Sequence, residues 1–544
     1  IQSNIKHSFR DFHFFLGDLF EKSFFVSPTD NMEIADIISN LNQYKSEGPN
    51  GIPMKILHLL RNDISSILAD LFNLSFSSGV FPSILKIVKV IPIHKKSSKL
   101  DTSNYRPISI LSNLDKIIER LMYNRLYKFL ESNDLIYSLQ FGFRKNYSTS
   151  LALLSLTENI KQEIDKGRFG CGIFIDFQKA FDTVDHNILL EKLHHYGIRG
   201  ISYNWFKSYL NDRKQYVTIN GYNSDFASIE CGIPQGSILG PLLFLIYIND
   251  LHSSIKFCIT HHFADDTNLL YFDDSFKKLE KFINQDLKNL MNWLNANKIS
   301  LNADKTELVI FKPLRKVLDY NLNLRLNRKR LYPTSSVKYL GVKIDSKLNW
   351  KDHCNSVSIK LSRGNAILSK LRHFVDFSTL KSIYHSFFES NFNYANIVWA
   401  QNVNCTHRLF LLQKKALRII NFADRFSHTN PLFKASDIIK FHDKVSIENC
   451  IFISKALLNL LPPIFDDWFV FSSSGHSHHL RSTDLGILKI PTFHTKSHGR
   501  QSFKVNAIYT WNCIQNQLKH CKLYELKPSK IKTVLVMYFN KSYC

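Results

Sequence analysis

Three features of this chain have the residue types and spacing to do chemistry. They are an adjacent pair of carboxylates, a third carboxylate at the end of an apolar run, and a glycine-rich turn with a glutamine inside it. The pair is Asp265-Asp266, set between two hydrophobic runs, 255–263 and 267–272, that read as the strands of a hairpin. Adjacency alone says little, because 46 acids in 544 positions give about four such pairs by chance. Asp273-Asp274 and Asp466-Asp467 fit that origin. At a rigid hairpin tip, however, two carboxylates repel unless a cation sits between them. Asp176 ends another apolar run, 172–177. Brought beside the hairpin, it would complete an oxygen cage for two Mg²⁺ ions, the arrangement that clamps the attacking and leaving oxygens of an in-line phosphoryl transfer. Taken singly, Asp176 also fits a strand-end cap and the pair a simple turn. The third feature, Gly232-Ile233-Pro234-Gln235-Gly236-Ser237, precedes an apolar helical stretch. Its glycines let backbone approach a ligand closely, and a helix N-terminus offers free N–H groups. A purely structural turn needs the glycines but not the glutamine.

The elements that must position these groups are legible in outline. Helical patterns cover 53–78 and 114–131, with a β-branched strand at 87–93 running into Lys95 and Lys96. Residues 185–196 read as a helix, 216–220 and 226–230 as a strand pair around Gly-Tyr-Asn-Ser, and 237–251 as a buried helix. The stripe Leu279, Phe282, Ile283, Leu290, Trp293, Leu294 marks the most periodic helix, 275–297. Strands follow at 307–311 and 337–344, with a basic, loop-like segment at 325–330 between them. From about 350 to 425 the pattern is helical and basic, with Lys414, Lys415 and Arg418 on one run. The first 44 residues read as a linker, and the last 120 are poorly periodic.

Composition bounds the partners. Seventy Lys and Arg against 46 Asp and Glu leave a net charge of +24, while 44 % hydrophobic residues and 43 Phe exclude a mostly disordered basic tail. That charge points first to a nucleic acid and second to an acidic membrane surface. The longest apolar run, 239–248, is about half the length a bilayer requires, so no membrane span is expected. Nothing at the start resembles a signal peptide, and the first residue is Ile1, which suggests the remainder of a longer protein. Nine cysteines without a CxxC spacing argue against a disulfide framework or a zinc ribbon and imply reduced thiols in an intracellular protein, for which nucleus and cytoplasm are the expected compartments. His476, His478 and His479 read as a solvated loop with metal binding as the sharper alternative.

Read in order, the motifs resemble those of the reverse transcriptases of non-LTR (LINE-type) retrotransposons, in the jockey and CR1-like branch. Phe174-Ile175-Asp176-Phe177-Gln178-Lys179-Ala180-Phe181-Asp182-Thr183-Val184-Asp185-His186 is similar to motif A, 232–241 to motif B, Phe263-Ala264-Asp265-Asp266-Thr267 to motif C, and Asn302-Ala303-Asp304-Lys305-Thr306 to motif D. Upstream, Tyr105-Arg106-Pro107-Ile108-Ser109, Gln140-Phe141-Gly142-Phe143-Arg144 and the 48–53 element resemble the fingers motifs. Tyr339-Leu340-Gly341-Val342 resembles the step from palm to thumb. The resemblance is close over 45–425 and loose beyond.

It implies an α+β right-hand polymerase: a linker over 1–44, fingers and palm over 45–320, a helical thumb over 321–425, and a C-terminal region, 426–544, of unassigned role. It implies copying of an RNA template into DNA by extending a primer 3′-OH with dNTPs, with Mg²⁺ or Mn²⁺ as cofactor and target DNA as the primer's source. By the same resemblance Asp176, Asp265 and Asp266 hold the metals, with Asp266 less directly engaged. Phe181 is the steric gate under the incoming sugar, or else a core aromatic. Gln235 and Gly236 line the nucleotide and template pocket, and Arg106 and Arg144 contact triphosphate or template. Lys305 lies near the leaving pyrophosphate as a candidate proton donor. Neither an N-terminal endonuclease nor a C-terminal Cys/His knuckle is expected in this sequence. Two rivals remain open: an inactive RNA-binding copy, and a group II intron maturase.

Overall fold

The computed structural model describes residues 11–95, 98–316, 320, 322–327, 329–472, 486–518 and 520–543. Lys96, Cys544 and the His476–His479 stretch named above lie outside them. The described strands are β1 (Ile87–His94), β2 (Tyr105–Ile110), β3 (Phe169–Ile175), β4 (Lys214–Ile219), β5 (Tyr222–Asn223), β6 (Ala227–Ser228), β7 (Ile259–Phe263), β8 (Asp266–Asp273), β9 (Glu307–Phe311), β10 (Leu324–Leu326), β11 (Lys329–Leu331), β12 (Ser336–Tyr339) and β13 (Val342–Asp345). They form small sheets backed by helices, a mixed α and β architecture.

The sheet that matters most is antiparallel, in the order β7-β8-β3-β9. Every residue of β3 is buried, because both faces of this sheet are covered. Alternation along the strands divides the molecule into two cores. Cys171, Ile173, Ile175, Leu269, Leu308 and Ile310 face one core, which includes the helices Arg61–Ser78, Asn113–Ser132, Gly240–Ile248 and Phe276–Ala296. Phe174, Leu270, Val309 and Phe311 face the other, which includes the helices Thr149–Asp165, Lys351–Leu371, Phe441–Leu457 and Phe503–Gln517. A second sheet, β2-β1-β4-β5 with β6 on β4, stands beside the first; β1 pairs antiparallel with β2 and parallel with β4.

Both ends of the chain differ from the sequence reading. Residues 11–44 are not a bare linker: Phe12, Phe15, Phe24, Ile34, Ile37, Ile38 and Leu41 are buried in the first core. The helix Asn31–Asn40 is capped by Asp30, whose side chain accepts from the Glu33 N–H. Residues beyond 425 supply much of the second core, and they are bolted to the sheet through the helix Thr149–Asp165. Glu158 accepts from the N–H groups of Phe503 and Lys504, and Asp165 accepts from those of His494 and Thr495.

Two local readings are corrected by turn geometry. The turn after β4 is Asn220-Gly221, both at positive φ, pairing Ile219 with Tyr222; Gly-Tyr-Asn-Ser is not the turn. The single strand read at 337–344 is a hairpin, because Leu340-Gly341 takes positive φ and folds Tyr339 against Val342. The basic segment 325–330 likewise joins a short hairpin, with Leu324, Leu326 and Leu331 buried and Arg325 and Arg330 outward. All eight described cysteines are free, and no described helix is long and apolar enough to cross a membrane.

Candidate active site

The register of the antiparallel sheet brings the three acids together. β3 pairs with β8 so that Ile175 faces Thr267, and the next residues on the two strands are Asp176 and Asp266. β7 and β8 close through a two-residue turn, Ala264-Asp265, with Phe263 opposite Asp266 and Ala264 at φ 56°. A buried side chain enforces that turn: Gln140 Oε1 accepts from the N–H groups of both Gly142 (2.8 Å) and Ala264 (3.0 Å). Gly142 lies so close to Ala264 that a Cβ there would collide with its backbone.

Asp176 and Asp265 open onto a cavity of about 740 Å³ that is also lined by Arg106, Phe181, Gln235, Gly236 and Lys305. Seven of the nine residues singled out in the sequence therefore share one wall system. Asp266, the exposed first residue of β8, is next to Asp265 in the chain but does not line the cavity. Arg144 is placed elsewhere. It binds Glu131 through two 2.9 Å hydrogen bonds, donates to the carbonyls of Tyr137 and Gln140, and lies over the Tyr147 ring. With its donors so engaged, it braces the segment that carries Gln140.

Electrostatics tie the cavity to anions. Lys95, Arg106, Lys179 and Lys305 face Asp176, Asp182 and Asp265 across it. Lys305 Nζ lies 3.5 Å from Asp176 Oδ2, and Asn302 Nδ2 donates to the same oxygen at 3.1 Å. Burial holds the Asp265 carboxyl above its usual range, and the Asp176 charge adds to this, while its own N–H and Arg106 pull the other way. Asp266 is pushed up to about 6, first by burial and then by the charges of Asp265 and Asp176. A cation between these carboxylates would offset both the burial and their mutual repulsion. Among the described residues no group of three or more His, Cys, Asp and Glu is gathered closely enough to cage a metal alone. Hard oxygen donors suit Mg²⁺, which takes one or two carboxylates plus substrate phosphates in preference to an all-protein cage. Asp176 and Asp265 at the cavity wall fit that demand.

Several residues of the site carry no role in the sequence reading. Asp182 accepts a 2.7 Å hydrogen bond from Gln235 Nε2, which turns the glutamine's Oε1 away from it. Burial raises the Asp182 carboxyl, against the Gln235 bond and the charges of Lys179, Lys95 and Arg106. Beneath the glycine-rich turn, fully buried Glu119 accepts from Tyr209 Oη (2.5 Å), Ser237 Oγ (2.8 Å) and the Ile238 N–H (2.6 Å). Gly236, at φ 145°, presses on the Ser109 carbonyl of β2, and Ser109 N donates to Gln235 O at 2.9 Å. Asp182 and Asn302 were visible as parts of quoted motifs. Glu119 left no signal, because a glutamate in an amphipathic helix reads as a surface charge. Phe181 is half-buried, stacked on Phe244 at 4.3 Å and edge-on to Phe143 at 6.2 Å, so it both packs and lines the cavity.

The reverse transcriptase (RNA-dependent DNA polymerase) family matches residues 93–344, the stretch that includes all of these groups. The chain is 28 % identical over 445 residues to an RNA-directed DNA polymerase from the mobile element jockey of Drosophila melanogaster, covering 79 % of this chain and 48 % of that protein. It is 27 % identical to a probable RNA-directed DNA polymerase from transposon BS of the same fly (77 % and 48 % covered), and 27 % identical to the jockey protein of Drosophila funebris (78 % and 47 %). The chain thus spans about half the length of the curated relatives it matches. Residues 93–344 match the reverse transcriptase family, and over more than three quarters of its length the chain is similar to RNA-directed DNA polymerases of jockey-type non-LTR retrotransposons.

Proposed function

We propose that this chain is an RNA-directed DNA polymerase that extends a primer 3′-OH with dNTPs on an RNA template. One observation carries the reading: the β3–β8 register sets Asp176 beside Asp265-Asp266 at the wall of a cavity ringed by Lys95, Arg106, Lys179 and Lys305. Asp176 and Asp265 hold the divalent cations, with Asp266 less directly engaged. Bound there, two Mg²⁺ ions supply the Lewis-acid stabilisation of the attacking and leaving oxygens. The chain's own groups do the rest. Arg106, Lys95 and Lys179 neutralise the triphosphate. Lys305, beside Asp176, holds a proton for the leaving pyrophosphate. Phe181 is the floor under the incoming sugar, and Gln235, fixed by Asp182, presents its Oε1 to the nucleotide. In this reading residues 45–320 act as fingers and palm and 321–425 as thumb. Target DNA furnishes the primer, and the protein works in nucleus and cytoplasm.

Primer extension on an RNA template with Mg²⁺ tests the reading. Asp265→Asn should lower the extension rate by more than about a hundredfold, because a carboxylate that holds the ions is lost. Affinity for primer–template should stay near wild type, since the basic surface is intact. Wild-type synthesis by Asp265→Asn would remove the two-metal assignment. A wild-type chain that binds RNA without extending any primer would favour an inactive RNA-binding copy.

A further inference from the structure

The helices Lys351–Leu371 and Val403–Ile420 pack side by side and run the same way. Cys405 Sγ meets Asn349 O near their starts, Asn365 Nδ2 donates to Leu412 O midway, and Arg372 lies over the Phe422 ring at their ends. Both C-termini therefore emerge at one place. The two loops that leave them carry three exposed phenylalanines: Phe374 (83 % exposed), Phe422 (51 %) and Phe426 (89 %). Such rings are costly to leave in water unless something covers them. Phe422 also holds φ 54°, a conformation bulky residues rarely adopt, which turns its ring outward. Arginines lie over these rings, with the Arg372 guanidinium 5.2 Å from Phe422 and the Arg425 guanidinium 5.8 Å from Phe426. Arg372 Nε is shielded from solvent yet has no hydrogen-bond partner among the described residues. Of the two acids in these loops, Asp376 is spent capping the next helix, where it accepts from Thr379 N and Ser378 Oγ, and Asp424 stands exposed next to Arg425 in the chain.

Exposed aromatic rings interleaved with guanidinium groups are what an unpaired nucleic-acid strand requires: stacking for its bases and charge for its phosphates. The geometry points to a single-strand binding platform at this helix end, formed by Phe374, Phe422 and Phe426 with Arg372 and Arg425, separate from the catalytic cavity. Its ligand is an unpaired strand, RNA or DNA. A protein partner would be met by the apolar area of the rings, whereas bases need their π-faces, and that difference is testable. The platform does not depend on polymerisation, so it is measured on the Asp265→Asn chain as well as on wild type.

The experiment is fluorescence anisotropy with a labelled single-stranded RNA of mixed sequence, the DNA of the same sequence, and the matching duplex. The double variant Phe374→Ala/Phe426→Ala alters two exposed side chains. It should bind single strands about tenfold more weakly with an unchanged salt slope, while duplex binding stays at wild-type strength. Phe374→Trp/Phe426→Trp should retain affinity, and Phe374→Leu/Phe426→Leu, which keeps apolar area without a π-face, should not. Arg372→Gln/Arg425→Gln should reduce the salt slope on single strands by about 1.4. A loss confined to RNA or to DNA identifies which strand the platform takes. Unchanged single-strand affinity in the alanine variant, full retention by the leucine variant, or an equal loss on duplex would each overturn the proposal.

Discussion

Phe181 is the residue at which core packing and the cavity wall meet. Its ring stacks on Phe244 in the first core, yet it lines the cavity beside Asp182 and Gln235. If its free face sets the floor under the sugar, a smaller side chain opens room for a 2′-hydroxyl. Phe181→Val should therefore raise ribonucleotide incorporation relative to deoxynucleotide incorporation by about tenfold or more, read as the ratio of kcat/KM values for rNTP and dNTP; one lost contact of 1.4 kcal/mol corresponds to tenfold. An unchanged ratio in a folded variant would leave Phe181 as packing alone. The sequence named this position, but it could not decide between gate and core in a chain with 43 Phe. The structure shows the ring packed on Phe244 in the first core and also lining the cavity wall.

Among elements, the hairpin β12–β13 and the helix Lys351–Leu371 are joined by a buried histidine. His353 Nδ1 accepts from the Lys343 N–H at 3.3 Å, and its ring lies edge-on to Trp399 at 5.1 Å. Burial lowers its pKa to about 4, with Lys360 and Lys343 adding to the effect. In the unfolded chain a histidine titrates near 6.5. The folded state thus keeps this ring neutral while the unfolded state takes up a proton. Stability is full above about pH 6.5, falls as the pH drops toward 4, and levels off below that. At pH 5 the deficit from this residue should be about 2 kcal/mol relative to pH 7.5. Urea unfolding at the two pH values checks it: His353→Gln should lose less stability on acidification than wild type. An equal acid sensitivity in both proteins would mean that other groups carry it.

At the scale of the molecule, the antiparallel sheet is a partition with a core on each face, and the residues beyond 425 fill much of the second. Phe441 lies against Trp399 and Phe392, its N–H donates to Gln413 Oε1, and the helix it opens is buried along most of its length. Deleting residues 426–544 should therefore leave Phe392, Trp399 and the Gln413 side of Val403–Ile420 bare. The expected product aggregates, or melts at least about 10 °C below the full chain, and has no primer extension. A soluble, active 1–425 chain would show this region to be an appendage.

Local pattern was enough to single out the candidate site residues. Asp176, Asp265-Asp266 and the Gly232–Ser237 turn could be named from local pattern, since strand ends, tight turns and amphipathic periods are properties of neighbouring residues; the helix Phe276–Ala296 and strand β9 were legible for the same reason. Tertiary structure alone decided what each group faces. Burial committed Arg144 to Glu131, made Glu119 the anchor of the glycine-rich turn, and coupled Asp182 to Gln235, none of which sequence spacing encodes. The same limit hid the C-terminal half of the second core. The helix Phe441–Leu457 buries residues on several sides and so shows no polar face to mark its period, and a helix of that kind becomes recognisable only once its neighbours are in place.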